Sequence, residues 1–232
     1  MIKDSKINVI AECGHNFNGS IRLAKEMIRE AKACGADAVK FQLYDIDKIK
    51  KPYQSRYFEL WAAQLNFEQL TQLANEAGRV GIEFMASAFD RERVLWLEQI
   101  GVKRHKLASR SIYDTETIQT MENTGKPLIV SLGAWKENEL PKIKNAQFLY
   151  CVSEYPAHIT QLPSFEKYDG FSDHTIGNYW AMEAIKRGAK IIEKHFTLNK
   201  TLPGYNQKGS AEPWELKEIV QYARQKERGI ML

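Results

Sequence analysis

Apolar residues recur along the chain in two alternating patterns. Short apolar runs, such as residues 7–11 and 38–43, are typical of strands, whereas residues 21–31 carry apolar side chains at helical spacing. Gly35 follows that helical stretch and is well placed to end it. The first 43 residues therefore predict a strand, a helix and a second strand.

The same alternation continues to the end of the chain, giving eight strand and helix units. Residues 45–64, which contain Pro52 and several aromatic residues, predict an irregular loop after the second strand. The predicted strands are 7–11, 38–43, 83–89, 104–108, 127–131, 147–152, 170–173 and 191–195. The predicted helices are 21–31, 66–78, 91–100, 115–123, 136–143, 160–167, 179–186 and 213–228.

Eight such units predict a single domain, 1–232, with the α/β fold of a (β/α)8 TIM barrel. Strands that alternate with helices pair in parallel through crossover connections, and eight of them close into a barrel. A doubly wound open sheet is the structural alternative. For nucleotide binding it would carry a glycine-rich first turn, and residues 13–19 lack that spacing.

Composition narrows the possible partners. The chain is 44% hydrophobic and 27% charged, and its net charge of +4 is scattered, without the basic block that favours nucleic acid or a membrane surface. The first residues are too weakly apolar for a signal peptide, and we expect a cytoplasmic protein. Cys13, Cys34 and Cys151 lack metal-ligand spacing and are expected to be reduced, buried thiols.

Nearly every predicted strand ends in polar side chains. In a parallel barrel the carboxyl ends of all strands share one opening, the mouth, where the loops build the active site. The polar residues at these ends are Glu12, Lys40, Gln42, Ser87, Lys106, Ser109, Ser131, Ser153, Tyr155, Ser172, His174, Lys194 and His195.

Together these residues predict an anion pocket beside a metal site. His174 and His195 end neighbouring strands, and a pair of neutral imidazoles suits a divalent ion with positions left for water or a substrate oxygen. The lysines and hydroxyls would surround an anion. Taken singly, each residue has a structural alternative: serines cap helices, lysines are solvated, and a histidine at the rim can simply form hydrogen bonds.

Several motifs resemble those of the N-acetylneuraminate (sialic acid) synthase family, which includes pseudaminic and legionaminic acid synthases. The resemblance extends along nearly the whole chain. Its most specific pieces are the Ser-Asp-His-Thr of residues 172–175 and the Glu-Lys-His-Phe-Thr-Leu of residues 193–198. Further matching pieces are residues 10–14, 18–19, 35–42, 124–127 and 155–156.

The resemblance implies a metal-dependent transferase on a TIM barrel. Such an enzyme condenses phosphoenolpyruvate with an N-acylated amino-sugar aldehyde, such as N-acetylmannosamine, to a nonulosonic acid and releases phosphate. It implies Mn2+ or Mg2+ on His174 and His195, with Glu12 orienting substrates or moving a proton. Phosphoenolpyruvate would contact Lys40, Ser87, Lys106, Ser109, Ser131, Ser153 and Ser172, and the sugar Glu12, Gln42, Tyr155 and Asn206.

Three departures from the family pattern concern the sugar side. Ser111 and Asn206 stand where members often carry carboxylates, and Asn206 can form hydrogen bonds but cannot act as a base. Members usually continue into an antifreeze-like domain that closes a partner's site, whereas this sequence ends after the eighth predicted helix. The alternatives are a barrel excerpt of a longer protein, a partner in the form of a homodimer or a separate closing domain, or a sugar site rebuilt from residues 45–64 and Arg110.

Two other function classes stay open from the sequence. A different metal-dependent aldolase or lyase on the same barrel would keep the histidines and the anion pocket. A noncatalytic phosphosugar-binding barrel would keep the fold without turnover. Aldehyde-dependent release of phosphate from phosphoenolpyruvate separates the synthase from both.

Overall fold

The strands of the protein pair in chain order and close on themselves. In the computed structural model, which describes residues 6–230, eight parallel strands form a closed barrel in which the last strand pairs with the first. The prediction of a (β/α)8 barrel is therefore confirmed. The strands are β1 Asn8–Gly14, β2 Ala38–Leu43, β3 Glu83–Ala88, β4 His105–Leu107, β5 Leu128–Ser131, β6 Ala146–Cys151, β7 Gly170–Asp173 and β8 Ile191–His195.

Helices follow most strands and cover the outside of the barrel. The longer ones begin at side-chain caps, as Asn66 and Gln69 show in the reciprocal capping box of the helix after residue 66. The helices are α1 Ile21–Ala33, α2 Ile46–Ile49, α3 Tyr57–Ala62, α4 Phe67–Val80, α5 Arg91–Ile100, α6 Thr115–Asn123, α7 Tyr179–Lys186 and α8 Pro213–Glu227.

Two predicted helices are absent, and one predicted loop is partly helical. Residues 136–143 and 160–167 form no helix, because Pro141 and Pro163 each lack a backbone N–H and restrict the residue before them to extended conformations. Residues 45–64, predicted as irregular, contain α2 and α3. The outer face of β6 is therefore covered by loop side chains, such as Tyr168 beside Tyr150.

Side chains alternate between the interior of the barrel and the helix layer, as the two-residue period of a strand requires. One interior layer is entirely apolar and is called here the apolar floor. The apolar floor consists of Ile10, Ala38, Met85, Ile129, Leu149 and Ile191.

The first residue of β7 is a glycine, which allows β8 to approach closely. A Cβ on Gly170 would lie only 2.0 Å from the carbonyl oxygen of Ile191.

The remaining core packs between the strands and the helices. Val39 and Phe41 of β2, for example, face this layer and are fully buried. The predicted thiols Cys13, Cys34 and Cys151 are free and buried, as expected. Within residues 6–230, no helix is both long enough and apolar enough to cross a membrane.

Candidate active site at the barrel mouth

A ring of polar side chains lies directly above the apolar floor. Each floor residue is followed two positions later by a ring residue, because alternate residues of a strand face the same side. The ring pocket that they enclose has a volume of about 40 Å³, room for about one water molecule. It is lined by Glu12, Lys40, Gln42, Ser87, Lys106, Ala108, Ser109, Ser131, Cys151, Tyr155, Ser172, His174, Glu193 and His195.

The structure therefore brings together most of the residues predicted from the strand ends. Of the residues predicted at the mouth, Ser153, Lys194 and Asn206 do not line the ring pocket. The Ser153 hydroxyl lies 2.9 Å from that of Ser109, at the edge of the pocket. Asn206 lines a neighbouring cavity instead.

Two buried lysines are neutralised by two buried carboxylates in the ring. Lys40 forms an ion pair with Glu12, and its Nζ lies 3.6 Å from Oε2 of Glu193. The Nζ of Lys106 lies 3.7 Å from Oε1 of the same Glu193 carboxylate. Lys40 also donates to the Ser87 hydroxyl at 2.9 Å. The ring pocket thus holds two positive and two negative groups that can exchange partners with an incoming anion.

Burial and charge set the protonation of these groups. Burial raises the pKa of Glu12 to about 7, although the Lys40 charge opposes that shift. Burial alone would raise the pKa of Glu193 as well. The charges of Lys106 and Lys40 have the larger effect, so the pKa of Glu193 lies below its ordinary value. Burial lowers the pKa of Lys106 despite the nearby Glu193. Glu12 is therefore the ring carboxyl that exchanges a proton near neutral pH.

Glu193 was not among the predicted site residues, although it accepts a 3.0 Å hydrogen bond from Ser172. The two-residue period from His195 would have placed it in the ring. The same period corrects the expectation for Lys194, which faces away from the mouth. Lys194 forms a fully buried ion pair with Asp173 at 2.9 Å, so it adds no charge to the ring pocket.

The imidazoles of His174 and His195 lie side by side at the mouth, with ring centroids 5.6 Å apart. Burial lowers the pKa of His174 to about 4 and that of His195 well below its usual value, so both rings are neutral at neutral pH. The Nδ1 of His174 donates to the carbonyl oxygen of Val152 at 2.7 Å, which leaves the Nε2 lone pair free to accept. Tyr155 stacks on this ring, and its hydroxyl lies 3.1 Å from Nε2.

This donor set fits a divalent ion. A backbone carbonyl bonded to Nδ1 is the usual support for a metal-binding imidazole, and the buried Nδ1 of His195 has no hydrogen-bond partner. Within residues 6–230, no group of three or more histidine, cysteine, aspartate or glutamate side chains is arranged to hold a metal. If an ion binds at this pair of imidazoles, His174 and His195 would be the residues that hold it, and the Tyr155 hydroxyl would have to leave His174.

A second cavity of about 250 Å³, called here the mouth cavity, lies beyond the histidines. It shares Tyr155, His174 and His195 with the ring pocket, so the imidazoles separate the two spaces. The buried amide oxygen of Asn206 has no hydrogen-bond partner. The other residues that line this cavity are Pro156, Ile176, Tyr205, Lys208 and Gly209.

Residues 45–64 pack against the loops of the mouth and are called here its outer wall, although none of them lines either cavity. Arg56 lies over the Tyr205 ring, 3.9 Å from its centroid, and contacts His15 at 2.9 Å. Glu59 accepts a hydrogen bond from the backbone N–H of Tyr205 and pairs with His15. These contacts join the loops after β1, β2 and β8. No sequence pattern predicts these contacts, because they depend on the conformation of the loops.

Comparison with known proteins identifies the family. Residues 27–230 match the NeuB family. The chain is 36% identical to the N,N'-diacetyllegionaminic acid synthase of Legionella pneumophila, over 94% of this chain and 72% of that protein. It is 30% identical to the N-acetylneuraminate-9-phosphate synthase of Mus musculus, over 96% of this chain and 70% of that protein.

The fold comparison agrees with the sequence comparison. The crystal structure of the N-acetylneuraminic acid (sialic acid) synthetase from Leptospira borgpetersenii, in complex with citrate, superimposes with a TM-score of 0.89 at 29% identity. The match covers 98% of this chain and 86% of that one. The predicted resemblance to sialic acid synthases and the prediction of a synthase-type enzyme are confirmed, and the chain belongs to the NeuB family.

Proposed function

We propose that this protein condenses phosphoenolpyruvate with an N-acylated amino-sugar aldehyde, of the N-acetylmannosamine type, to a nonulosonic acid and inorganic phosphate. The observation that carries the proposal is the ring pocket of two buried lysines and several hydroxyls, next to two neutral imidazoles. The names of the related synthases support it.

Phosphoenolpyruvate suits the ring pocket by charge. Its phosphate and carboxylate would replace Glu12 and Glu193 as partners of Lys40 and Lys106, since charge-assisted hydrogen bonds are the stronger ones. The pocket of about 40 Å³ is contracted around these ion pairs and would have to open. Gly133 leaves room for the hydroxyls at its edge, because a Cβ there would lie 2.4 Å from the Ser153 hydroxyl.

The aldehyde suits the mouth cavity. Tyr155 and Tyr205 supply flat apolar surface for an acyl group, and the unpartnered amide oxygen of Asn206 can accept a hydrogen bond from a hydroxyl or an N–H. Gln42 donates to Glu12 at 3.1 Å, and both side chains line the ring pocket together with the two histidines. The two substrates would thus meet beside the histidines.

The reaction joins three molecules and releases one. The methylene carbon of phosphoenolpyruvate attacks the aldehyde carbon, and the aldehyde oxygen takes up a proton. Water adds to the adjacent carbon that carries the phosphate and loses a proton, and cleavage of the bond from that carbon to the phosphate oxygen releases inorganic phosphate. A divalent ion, Mn2+ or Mg2+, held by His174 and His195 would polarise the aldehyde oxygen. Lys40 and Lys106 neutralise the anion, and Glu12, with a pKa of about 7, can deliver or accept a proton.

The test is release of phosphate from phosphoenolpyruvate with Mn2+ or Mg2+ and a panel of N-acylated hexosamines. We expect release that requires both the aldehyde and the metal, with a nonulosonic acid identified by mass spectrometry. Release without an aldehyde, or a different product, would point to another aldolase or lyase. Binding of phosphoenolpyruvate without turnover of any aldehyde would point to a binding protein.

A further inference from the structure

Tyr205 connects the outer wall to the mouth cavity, which the wall itself does not line. Three contacts hold this residue. The guanidinium carbon of Arg56 lies 3.9 Å from the centroid of the Tyr205 ring, and the backbone N–H of Tyr205 donates to Oε1 of Glu59 at 3.2 Å. The Tyr205 hydroxyl donates to the carbonyl oxygen of Tyr155 at 3.1 Å. Two of the three contacts therefore come from the outer wall.

The Tyr205 ring would be mobile without these contacts. It is half-exposed and lies in a stretch, residues 197–206, that forms no helix or strand. The residue before it is Gly204, whose φ of +128° is a conformation that side chains rarely adopt. Fixing one such side chain during binding costs a factor of about two to ten in affinity. A ring that is already fixed avoids this cost.

Arg56 is itself held in place. Its Nη2 lies 2.9 Å from Nε2 of the buried His15, and its Nε lies 3.4 Å from Oε2 of Glu59. Its backbone is left-handed, with a φ of +67°, directly before α3 begins. The guanidinium covers one face of the Tyr205 ring, so the other face is left for the mouth cavity.

We propose that Arg56 is a positioning residue, which holds the Tyr205 ring at the mouth cavity and thereby raises the affinity for the sugar aldehyde. The proposal rests on the proposed function, because it places the aldehyde in that cavity. Arg56 lines neither cavity, and Tyr205 is the cavity-lining residue that it contacts. Phosphoenolpyruvate, in the ring pocket, should not depend on Arg56.

The first experiment measures binding of N-acetylmannosamine to the whole chain by calorimetry. Arg56→Gln should weaken it about two- to tenfold, the cost of fixing one side chain, and should leave phosphoenolpyruvate binding unchanged. Arg56→Lys keeps a cation over the ring and should keep part of the affinity. Neither variant introduces glycine or proline at the left-handed position. Arg228→Gln, at the exposed C-cap of α8, is the matched control and should bind like wild type.

The kinetic signature is a change in one constant. Arg56→Gln should raise KM for the aldehyde by the same factor, whereas kcat and KM for phosphoenolpyruvate should not change. The reason is that a fixed ring favours the bound sugar and the transition state equally. General damage to the site would lower kcat as well.

A double-mutant cycle and a spectroscopic measurement show whether Arg56 acts through Tyr205. In Tyr205→Ala, adding Arg56→Gln should weaken sugar binding no further, because no ring is left to position. Without any sugar, the ring signal of Tyr205 in protein with 13C-labelled tyrosine should shift in Arg56→Gln. The loss of a signal in Tyr205→Ala identifies it. An unchanged ring signal, an unchanged sugar affinity, or an Arg56→Gln effect that persists in full in Tyr205→Ala would overturn the proposal.

Phosphate release is measured separately, so the two proposals fail in different ways. If no aldehyde supports release but sugar binding depends on Arg56 through Tyr205, the condensation is wrong and the positioning role stands. If an aldehyde is condensed and Arg56→Gln changes neither its affinity nor its KM, the condensation stands and the positioning role is wrong. If no N-acylated amino sugar binds at all, both are wrong.

Discussion

His195 offers the most direct test of the metal site at the scale of single residues. Its imidazole is neutral and its Nδ1 has no hydrogen-bond partner, so His195→Ala should weaken Mn2+ binding at least about 10- to 100-fold, the cost of disturbing even the support of a ligand. Calorimetry on metal-stripped protein measures this affinity. The exposed His158, replaced in the same way, is the control. Equal affinity in wild type and His195→Ala would make His195 a structural residue.

Lys106 tests the anion half of the site. It donates to Ser131 at 2.8 Å and lies near Glu193, so its removal leaves Glu193 with Lys40 and Ser172 as partners. Lys106→Met should weaken phosphoenolpyruvate binding by about 1.5–3 kcal/mol, the range for a hydrogen bond to a charged group. Direct binding of phosphoenolpyruvate measures the loss. Lys103→Met, at an exposed position of the same segment, should bind normally, and an unchanged Lys106→Met would remove Lys106 from the site.

The sequence predicted which residue types gather at the mouth but not how they pair. The polar ends of the strands were visible because a barrel brings them together, as Lys40 and Ser131 show. Glu193 was not predicted, because it lies two positions before the end of β8, where only the last two residues, Lys194 and His195, were placed at the mouth. The ion pair of Lys194 with Asp173 was not predicted either, because it depends on the register between β7 and β8, which places the two residues side by side.

At the scale of elements, β7 and β8 are joined by one buried ion pair outside the barrel. Lys194 contacts Asp173 at 2.9 Å and the carbonyl oxygen of Thr175 at 2.5 Å, and both charged side chains are fully buried. Lys194→Met leaves the Asp173 carboxylate without its cation, so it should lower the free energy of unfolding by about 3–5 kcal/mol. Urea unfolding measures this change.

Two further variants complete that test. Lys190→Met, at an exposed position just before β8, should change the free energy of unfolding very little. Asp173→Asn combined with Lys194→Met should recover part of the loss, because the buried charge is gone. If Lys194→Met lowers the free energy of unfolding as little as Lys190→Met does, water must reach the Asp173 carboxylate.

The wall made by residues 45–64 should depend on pH. Hydrogen bonding to His15, with help from Tyr205 and Arg56, lowers the pKa of Glu59 from 4.5 to about 2. A lowered carboxyl pKa stabilises the fold fully above about pH 4.5, and this contribution is lost as the pH falls toward 2. It amounts to at most about 3 kcal/mol.

Glu59→Gln is the variant that checks this pH dependence. We expect it to be less stable than wild type at pH 7, with a difference that shrinks markedly at pH 3 in urea unfolding. Glu68→Gln, at an exposed position of α4 with no ion pair among residues 6–230, is the matched control. A difference between Glu59→Gln and wild type that is the same at both pH values would show that the carboxylate charge is not what holds the wall.

Local sequence patterns account for the correctly predicted element boundaries and also for the two helices that were predicted wrongly. Strand β2 and helix α5 lie where apolar spacing predicted them, and both have clear ends. The two absent helices contain Pro141 and Pro163, whose effect on the backbone outweighed a weak apolar pattern. The contacts of Arg56, in turn, depend on a left-handed backbone conformation that no spacing rule predicts.

At the scale of the whole molecule, the alternation of strands and helices was enough to predict the closed barrel. Eight parallel strands have few other ways to remove their edges, so the topology tolerated the missing helices around β6. The single domain 1–232 remains a prediction, since residues 1–5 and 231–232 lie outside the described part. A homodimer or a separate closing domain likewise remains a prediction.

The apolar floor has a consequence for the order of events in the proposed reaction. Because Ile10, Met85 and Leu149 seal the barrel from below, the ring pocket can be reached only from above. The mouth cavity lies on that route, so a molecule seated there blocks the way in and the way out. In the proposed reaction, phosphoenolpyruvate would therefore enter before the aldehyde, and phosphate in the ring pocket would leave after the product in the mouth cavity.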